Sequence, residues 1–358
     1  MPLENRCDFL IVGQGLAGCL LARALGESGA SCILVGQTLP LAATPVAAGI
    51  MNPVTGKRLA KSWRTETYLP YAKEFYRRLG HDWNETLLHE GRILRFPRNE
   101  EELVLFRKRK DDPSFTPFLG EEFAPRHWAS HGWKDELGSY EITQVGWVDL
   151  EKVASRIRQV FREKGILREE HFDHNELELG SDGVSWRGAV TSCVVFCEGA
   201  KVVANPWFKD VPFAPSRGET LDLGGKGHSR EVLLQSGIWL MAESKDSLRA
   251  GSTYDHDELA GEPTMQARET ILDGLSEFLN ETPTVVGQRC GVRPSTRDRL
   301  PVMGRHPDQP QLALFNGFGS KGATWAPPLA ECFAGHLLDG EPLDGEIDLL
   351  RFRDVDVS

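Results

Sequence analysis

The first 35 residues change their hydrophobic period twice. Residues 8–12 form a short apolar run, residues 16–25 place apolar side chains around a helix that Gly29 ends, and residues 31–35 form a second apolar run. Short apolar runs next to glycines predict buried strands, and apolar positions three and four residues apart predict a helix. The pattern therefore predicts a β–α–β unit within about 30 residues.

Further elements follow along the chain. The pattern predicts helices over residues 61–78, 150–164 and 263–279, and strands over residues 91–96, 191–196, 237–243 and 248–254. Asp149 is a favourable N-cap for the second helix, and Gly165 is a favourable stop. The last two strands, joined by a polar turn, predict a hairpin with Trp239 and Met241 on one face.

Composition narrows the class of protein. The 358 residues include 41 basic and 52 acidic side chains, a net charge of -11, which favours a soluble, cytoplasmic enzyme over a non-specific nucleic-acid binder. The seven cysteines form no paired metal-ligand spacing, so no metal site is expected. No apolar leader begins the chain, and no run reaches the roughly 20 apolar residues of a membrane helix.

The turn between the first strand and helix reads Gly13-Gln14-Gly15-Leu16-Ala17-Gly18. In this spacing Gly13 permits the tight turn, Gly15 lets the backbone approach a pyrophosphate, and Gly18 lets helix and strand pack closely. The helix N-terminus then offers N–H groups and the positive end of its dipole to the phosphates. With a strand before it and a helix after it, the motif predicts a bound dinucleotide.

The second strand lacks the acidic residue that usually follows it. Such an acid accepts hydrogen bonds from ribose hydroxyls, but here the chain runs Val35-Gly36-Gln37. Gln37 or backbone groups are the predicted substitutes.

Four segments resemble the superfamily of glycine oxidases, D-amino-acid oxidases and sarcosine oxidases. Residues 44–53 resemble its flavin-facing segment, residues 194–200 its second conserved FAD-domain strand, residues 291–301 its substrate-arginine motif, and residues 316–323 its C-terminal flavin loop. The order and spacing match over nearly the whole chain. The last two segments are especially similar to the FAD domain of the bifunctional tRNA-modifying enzyme that finishes methylaminomethyl-uridine, although this chain has no methyltransferase half.

The resemblance implies an α/β fold in which a Rossmann-like FAD-binding domain is interleaved with a mixed-sheet α+β substrate domain. It places residues 1–80, 140–205 and 285–358 in the FAD-binding domain, and residues 81–139 and 206–284 in the substrate domain. It also implies non-covalent FAD, because no cysteine stands where sarcosine oxidases attach flavin. The implied cofactor contacts are Gly13, Gly15, Leu16, Ala17, Gly18, Gly36, Gln37, Thr44, Ala47, Ala48, Gly49, Met51, Phe172, Glu198, Gly199, Gly291, Gly317, Phe318, Gly319, Ser320, Lys321, Gly322 and Ala323.

The same resemblance implies the catalytic candidates Arg293, Lys321, Trp239 and Met51. The planar guanidinium of Arg293 suits a bidentate grip on a substrate carboxylate, with a structural ion pair as the alternative. Lys321 either adds positive charge near the flavin or is a solvated loop lysine. Trp239 is either a pocket residue or a core residue.

Two further sets of residues carry open alternatives. Tyr254, at the end of the predicted hairpin, is a weaker pocket candidate than Trp239. The basic residues Lys57, Arg58, Lys61 and Arg64 either attract an anionic or nucleotide-bearing substrate or form the wet face of a helix.

The predicted reaction is FAD-dependent oxidation of an amine, an amino acid or N-substituted glycine, by hydride transfer to flavin N5 and imine hydrolysis. The expected partners are this small substrate and oxygen or an electron carrier, with no membrane and no nucleic acid. Three alternatives stay open: oxidative removal of a carboxymethyl group from a modified tRNA wobble uridine, 2-hydroxy-acid dehydrogenation, and a non-catalytic FAD-binding subunit of a complex.

Overall fold

The computed structural model describes residues 6–181, 183–225 and 228–353. Within these ranges the α-helices are α1 (Leu16–Glu27), α2 (Ala43–Val46), α3 (Thr65–Trp83), α4 (Glu100–Lys110), α5 (Leu150–Glu163), α6 (Met265–Ser276) and α7 (Gly322–Asp339). The strands are β1 (Arg6–Val12), β2 (Cys32–Val35), β3 (Ile50–Met51), β4 (Val54–Thr55), β5 (Ala60–Lys61), β6 (Leu88–Arg95), β7 (Leu119–Phe123), β8 (Ser139–Val148), β9 (Leu167–Arg168), β10 (Leu177–Gly180), β11 (Gly183–Trp186), β12 (Ala189–Phe196), β13 (Ser216–Gly224), β14 (Val232–Ser236), β15 (Ile238–Ala242), β16 (Ser247–Gly251), β17 (Thr284–Arg293), β18 (Val302–Arg305) and β19 (Leu312–Asn316).

The chain divides into two compact units, each built from separate stretches of sequence. The first unit comprises Met1–Ala47, Asp149–Ser216 and Gly291–Ser358, and the second comprises Ala48–Val148 and Arg217–Cys290. The fold is therefore α/β, with the two units interleaved along the chain.

A largely parallel sheet forms the centre of the first unit. Its order is β10-β11-β12-β1-β2-β9, and β19 continues the parallel pairing beside the second half of β12. Helix α1 packs against both α5 and α7 in this unit. The β1–α1–β2 unit predicted from the sequence is confirmed, because β1 and β2 pair in parallel.

A mixed sheet of nine strands forms the centre of the second unit. Its order is β17-β13-β16-β15-β14-β6-β8-β3, with β7 also paired to β8. The predicted hairpin is confirmed, since β15 and β16 pair antiparallel with Trp239 opposite Gly251. Helix α6 covers part of this sheet, and Gly274 allows a close approach because a Cβ there would lie 2.4 Å from Ile238.

Two of the observed boundaries lie inside segments that the sequence assigned to the FAD-binding domain. Residues 48–80 and 140–148 belong to the second unit, because β3 and β6 both pair with β8. This correction follows from strand pairing between distant segments.

Two smaller boundary differences have equally local causes. Residues 206–216 belong to the first unit, where the Ala214 N–H donates to the Ser295 carbonyl at 2.7 Å. Residues 285–290 belong to the second unit, where the Gln288 side chain donates to Glu219 at 2.7 Å. Both segments were predicted for the opposite domain.

Helix α5 follows its sequence signals closely. The Asp149 side chain accepts the Lys152 N–H at 2.9 Å, so the predicted N-cap is confirmed. Helix α3 instead begins at Thr65, because residues 60–61 pair with β4 in a short hairpin.

Candidate functional site

The glycine turn at the end of β1 leaves no room for side chains at two positions. Gly13 has φ of 114°, and a Cβ there would lie 2.3 Å from the Cys197 carbonyl oxygen. A Cβ at Gly18 would lie 1.9 Å from the Gly13 carbonyl oxygen. These close approaches bring the start of α1 directly against β1 and the end of β12.

The N-terminus of α1 faces an open space at Gly15. The contact nearest to a Cβ at Gly15 would be the Thr44 hydroxyl at 3.4 Å, an ordinary van der Waals distance. Gly15 supplies no side-chain cap, and the Leu16 N–H donates to the Thr44 hydroxyl oxygen at 3.1 Å. The dipole of this twelve-residue helix makes its first turn attractive to an anion.

Hydrogen bonds join the later motifs to the same end of the first unit. The Gly319 N–H donates to the Pro294 carbonyl at 3.1 Å, which links the C-terminal loop to the segment carrying Arg293. The Asn316 side chain donates to the Gly199 carbonyl at 3.0 Å. A Cβ at Gly322 would lie 3.6 Å from the Leu16 side chain, so α7 begins beside the start of α1.

Arg293 is the last residue of β17 and is half-buried. The strand end is fixed against α2, because the Val292 N–H donates to the Leu41 carbonyl at 3.0 Å and a Cβ at Gly291 would lie 3.2 Å from Val46. The end of β17 that carries Arg293 is therefore held by the segment that also contains Thr44.

Lys321 stands at the N-cap of α7 and is also half-buried. Burial lowers the pKa of its ammonium group to about 8, because removing the charge from water disfavours the protonated form. The two alternatives for Lys321, a positive charge near the flavin and a loop lysine, stay predictions.

Comparison with known proteins decides the family. A model of the FAD dependent oxidoreductase family matches residues 8–335. The chain belongs to this family.

Individual relatives have low sequence identity. The tRNA 5-methylaminomethyl-2-thiouridine biosynthesis bifunctional protein of Marinobacter nauticus is 25% identical over 94% of this chain, which spans 56% of that protein's length. The glycine oxidase of Bacillus licheniformis is 23% identical, with 96% of each chain covered. The crystal structure of glycine oxidase from Geobacillus kaustophilus is 19% identical and has a TM-score of 0.80, covering 98% of this chain and 100% of that one, which shows a shared fold.

The geometry of the turn fits the cofactor that names the family. Gly13 and Gly18 admit no side chain, while the space at Gly15 and the start of α1 suit a pyrophosphate. A side-chain amide at Gln14 is buried next to this turn and has no hydrogen-bond partner among the described residues. FAD dependence is a property of the family.

Glu198 has side-chain partners that the sequence did not reveal. Its carboxylate bonds to the His174 ring at 2.9 Å and accepts the Asn205 amide at 2.8 Å. The hydrogen bond to Glu198 raises the pKa of His174, so the pair favours the charged imidazolium. The backbone of Glu198 lies beside the glycine turn. Its nitrogen atom would be 3.3 Å from a Cβ placed on Gly13.

The end of β2 has no acidic residue of the kind that usually binds the ribose. The Gly36 N–H donates to the Arg168 carbonyl at 3.1 Å, and the Gln37 side chain is exposed. Ala17 and Ala47 are half-buried residues of the first unit, whereas Ala48 and Gly49 belong to the second unit.

Burial and exposure differ among three residues named from the sequence. Met51 has no exposed surface, and its side chain packs over Gly146. The Phe172 ring stacks on Trp186 in the core. Tyr254 lies beyond β16 and is 62% exposed. The roles of Met51 and Phe172 at the flavin, and of Tyr254 in the pocket, stay predictions.

Trp239 lies on β15 in the second unit and is half-buried. Its ring covers Gly251 of β16, where a Cβ would lie 2.9 Å from the indole. Trp239 and Met241 pack against the same hydrophobic cluster, which confirms the shared face predicted from the alternation. Trp239 can therefore still be either a pocket residue or a core residue, because one edge of its ring packs against the cluster and part of its surface is exposed.

The basic run is divided between two environments. Lys61 forms an ion pair with Glu66 at 2.5 Å, and the Arg64 guanidinium lies 5.4 Å from the Trp63 ring centre. Lys57 and Arg58 are exposed at the tip of the β4–β5 hairpin. Lys57, Arg58 and Arg64 are the exposed members of this run, and Lys61 is half-buried.

The described part of the chain, residues 6–353 apart from 182, 226 and 227, has no cluster of metal ligands and no membrane-spanning helix. In it, no three His, Cys, Asp or Glu side chains form a group that could hold a metal ion. None of the helices within residues 6–353 is both long and apolar enough to cross a membrane.

Proposed function

We propose that this chain oxidises a primary or secondary amine that carries a carboxylate, an amino acid or an N-substituted glycine. Bound FAD would supply the two-electron acceptor, and the imine product would be hydrolysed by water. The observation that carries the proposal is the hydrogen bond between the Arg293 segment and the C-terminal loop, Gly319 N–H to Pro294 carbonyl at 3.1 Å.

This hydrogen bond would hold the segment that binds the substrate and the loop that contacts the flavin in a fixed relative position. Arg293 would hold the substrate carboxylate bidentately, and residues 317–323 would bring backbone N–H groups and the Lys321 charge close to the flavin ring. A carboxylate held at a fixed distance from the ring aligns the reacting C–H bond, and orientation of this kind contributes several orders of magnitude to rate.

The nucleotide half of FAD would lie along the glycine turn. Gly15, Leu16, Ala17 and Thr44 would bind the pyrophosphate, and Gly199 and Glu198 would contribute backbone groups beside Gly13. Binding would be non-covalent. Denaturation in acid should therefore release all yellow colour into the supernatant, and colour retained by the precipitated chain would refute this assignment.

Anaerobic flavin bleaching is the direct test of the proposed reaction. The purified holoprotein is mixed with glycine, sarcosine, iminodiacetate, D- and L-amino acids, the corresponding 2-hydroxy acids and amines without a carboxylate. Bleaching by amines that carry a carboxylate, with release of an oxo acid, is expected. Bleaching by hydroxy acids alone would favour the dehydrogenase alternative, and a flavin that no member of the panel reduces would favour a non-catalytic subunit.

A second candidate function follows from the resemblance to the Marinobacter nauticus protein, whose name refers to tRNA modification. Removal of a carboxymethyl group from a wobble uridine is also oxidation of an N-substituted glycine. The exposed Lys57 and Arg58 at the hairpin tip favour an anionic substrate, while the net charge of -11 opposes phosphate attraction over the whole surface. Bleaching by carboxymethylaminomethyl-uridine tRNA but by no free amino acid would select this function.

Access to oxygen is tested in the same experiment. Admission of air after bleaching should restore the yellow colour within seconds if oxygen is the acceptor. Recovery that requires an added quinone or dye would assign reoxidation to an electron carrier.

A further inference from the structure

Gln14 is a buried polar side chain in the middle of the glycine turn. The residue is 5% exposed, and neither the amide nitrogen nor the amide oxygen has a hydrogen-bond partner among the described residues. Its backbone carbonyl, in contrast, accepts a hydrogen bond from Arg158 at 3.2 Å. Buried amides without partners are rare in native proteins, because desolvation costs free energy that no bond returns. The side chain therefore has donor and acceptor capacity that a ligand can satisfy.

Contacts at Gly36 show where the Gln14 side chain lies. A Cβ at position 36 would lie 3.5 Å from the Gln14 Cγ and 3.2 Å from the Gln14 backbone nitrogen. The Gln14 side chain thus runs alongside the point from which, in other dinucleotide-binding folds, the ribose-binding acid extends. The glycine at 36 leaves this space to Gln14, since a larger residue would press on it.

We propose that the Gln14 amide binds the hydroxyl groups of the adenosine ribose of FAD, in place of an acid at position 36. This inference rests on the FAD site of the proposed function. The amide oxygen would accept from one ribose hydroxyl, and the amide N–H₂ would donate to the oxygen of the other.

The side chain must turn to reach the ribose, because its amide has no exposed surface in this structure. That movement breaks no side-chain hydrogen bond with a described residue, whereas it gains two with the cofactor. Gln37, the substitute suggested by the sequence, is exposed and flanks the same site. It is the rival candidate for the ribose hydroxyls.

The test measures discrimination between nucleotides with and without ribose hydroxyls. The full chain is stripped of FAD and titrated calorimetrically with ADP and with 2′,3′-dideoxy-ADP. The wild-type chain should bind ADP on the order of 10-fold more tightly, as expected for the loss of hydrogen-bonded hydroxyls. In Gln14→Met, which keeps the volume but removes the amide, the ratio should approach unity, and the affinity for FAD should fall about 10-fold.

Two further variants define the role. Gln14→Glu restores acceptors for both hydroxyls and should keep the discrimination. Loss of the discrimination in Gln37→Met, with the discrimination kept in Gln14→Met, would assign the ribose to Gln37 and overturn the proposal. Melting temperatures of the stripped variants give a separate readout of a purely structural role. A Gln14→Met chain that melts earlier but still discriminates as the wild type does would overturn the proposal.

Failure of the underlying site has a different signature. A stripped wild-type chain that binds neither ADP nor FAD at the turn would refute the nucleotide site and, with it, the role of Gln14. Binding of ADP without any preference over the dideoxy nucleotide would refute only the role of Gln14.

Discussion

The Thr44 hydroxyl oxygen lies 3.1 Å from the backbone nitrogen of Leu16 and caps the first turn of α1 from a separate segment of the chain. Gly15, which occupies the N-cap position, has no side chain to perform this function. In the proposed FAD site the Thr44 hydroxyl would donate its proton to a phosphate oxygen, so one hydroxyl would both cap the helix and bind the cofactor.

Replacement of Thr44 by Val should therefore have two effects. The free energy of unfolding of the FAD-free chain should fall by about 1 kcal/mol, the usual value of an N-cap hydrogen bond. The affinity for FAD should fall as well. Urea unfolding and FAD titration measure the two effects, and Thr44→Ser, which keeps the hydroxyl, should restore both. Equal behaviour of the Val and Ser variants would show that the hydroxyl has no such role.

Gly13→Ala should destabilise the fold itself. The added Cβ would lie 2.3 Å from the Cys197 carbonyl oxygen at a φ of 114°. Strain and overpacking together predict a loss of about 2–5 kcal/mol in the free energy of unfolding, measured by urea denaturation. Gly26→Ala, near the end of α1, has no atom within 4 Å of the new Cβ, so it should be neutral or stabilising. A Gly13→Ala chain as stable as Gly26→Ala would contradict the observed turn.

Arg293→Ala should raise the KM for carboxylate-bearing amines about 100-fold, because a bidentate charge-assisted pair is lost. Steady-state kinetics on the most active amine found by flavin bleaching measure the change. Arg293→Lys should recover part of it, since a lysine keeps the charge but not the planar fork. An amine without a carboxylate should show the same KM in all three proteins, and an unchanged KM for the carboxylate substrate would exclude this role.

His174 should make stability depend on pH. The hydrogen bond to Glu198 raises the pKa of His174 above its ordinary value, so the folded state binds a proton more tightly than the unfolded chain does. The stabilisation is complete below about pH 6.5 and is lost as the pH rises through the folded-state pKa.

His174→Phe keeps a ring against Phe196 and Trp207 but removes the charge. The difference in unfolding free energy between wild type and variant should be about 0.5–1 kcal/mol larger at pH 5.5 than at pH 8.5, since the pair is partly exposed. A difference that does not vary with pH would show that the ion pair contributes no net free energy.

Lys321 should give the opposite trend in the alkaline range. Its pKa is lowered to about 8 by burial, whereas an unfolded lysine titrates near 10.4. Between these values the unfolded chain binds more protons, so the free energy of unfolding contributed by this residue rises with pH. The rise should be on the order of 2 kcal/mol in wild type relative to Lys321→Met, measured on the FAD-free chain. Parallel pH profiles of the two proteins would place the ammonium in solvent.

The sequence determined the local elements and the type of ligand. The apolar runs around Gly13, the N-cap at Asp149 and the alternation at Trp239 and Met241 all depend on neighbours within a few residues, and such signals survive in one dimension. The four segments that resemble the oxidase superfamily likewise predicted FAD, because their order along the chain can be seen in the sequence.

The tertiary structure decided which of those residues remain available for chemistry. Ala48 belongs to the second unit because β3 pairs with β8 about a hundred residues later in the chain, and the Met51 side chain packs over Gly146 of β8 for the same reason. Glu198 contacts His174, and Gln14 lies beside Gly36. The spacing of these residues along the sequence does not predict either contact. The identity of a motif could be read from the sequence. The burial and the contacts of each side chain could not, because they depend on pairing between distant segments of the whole chain.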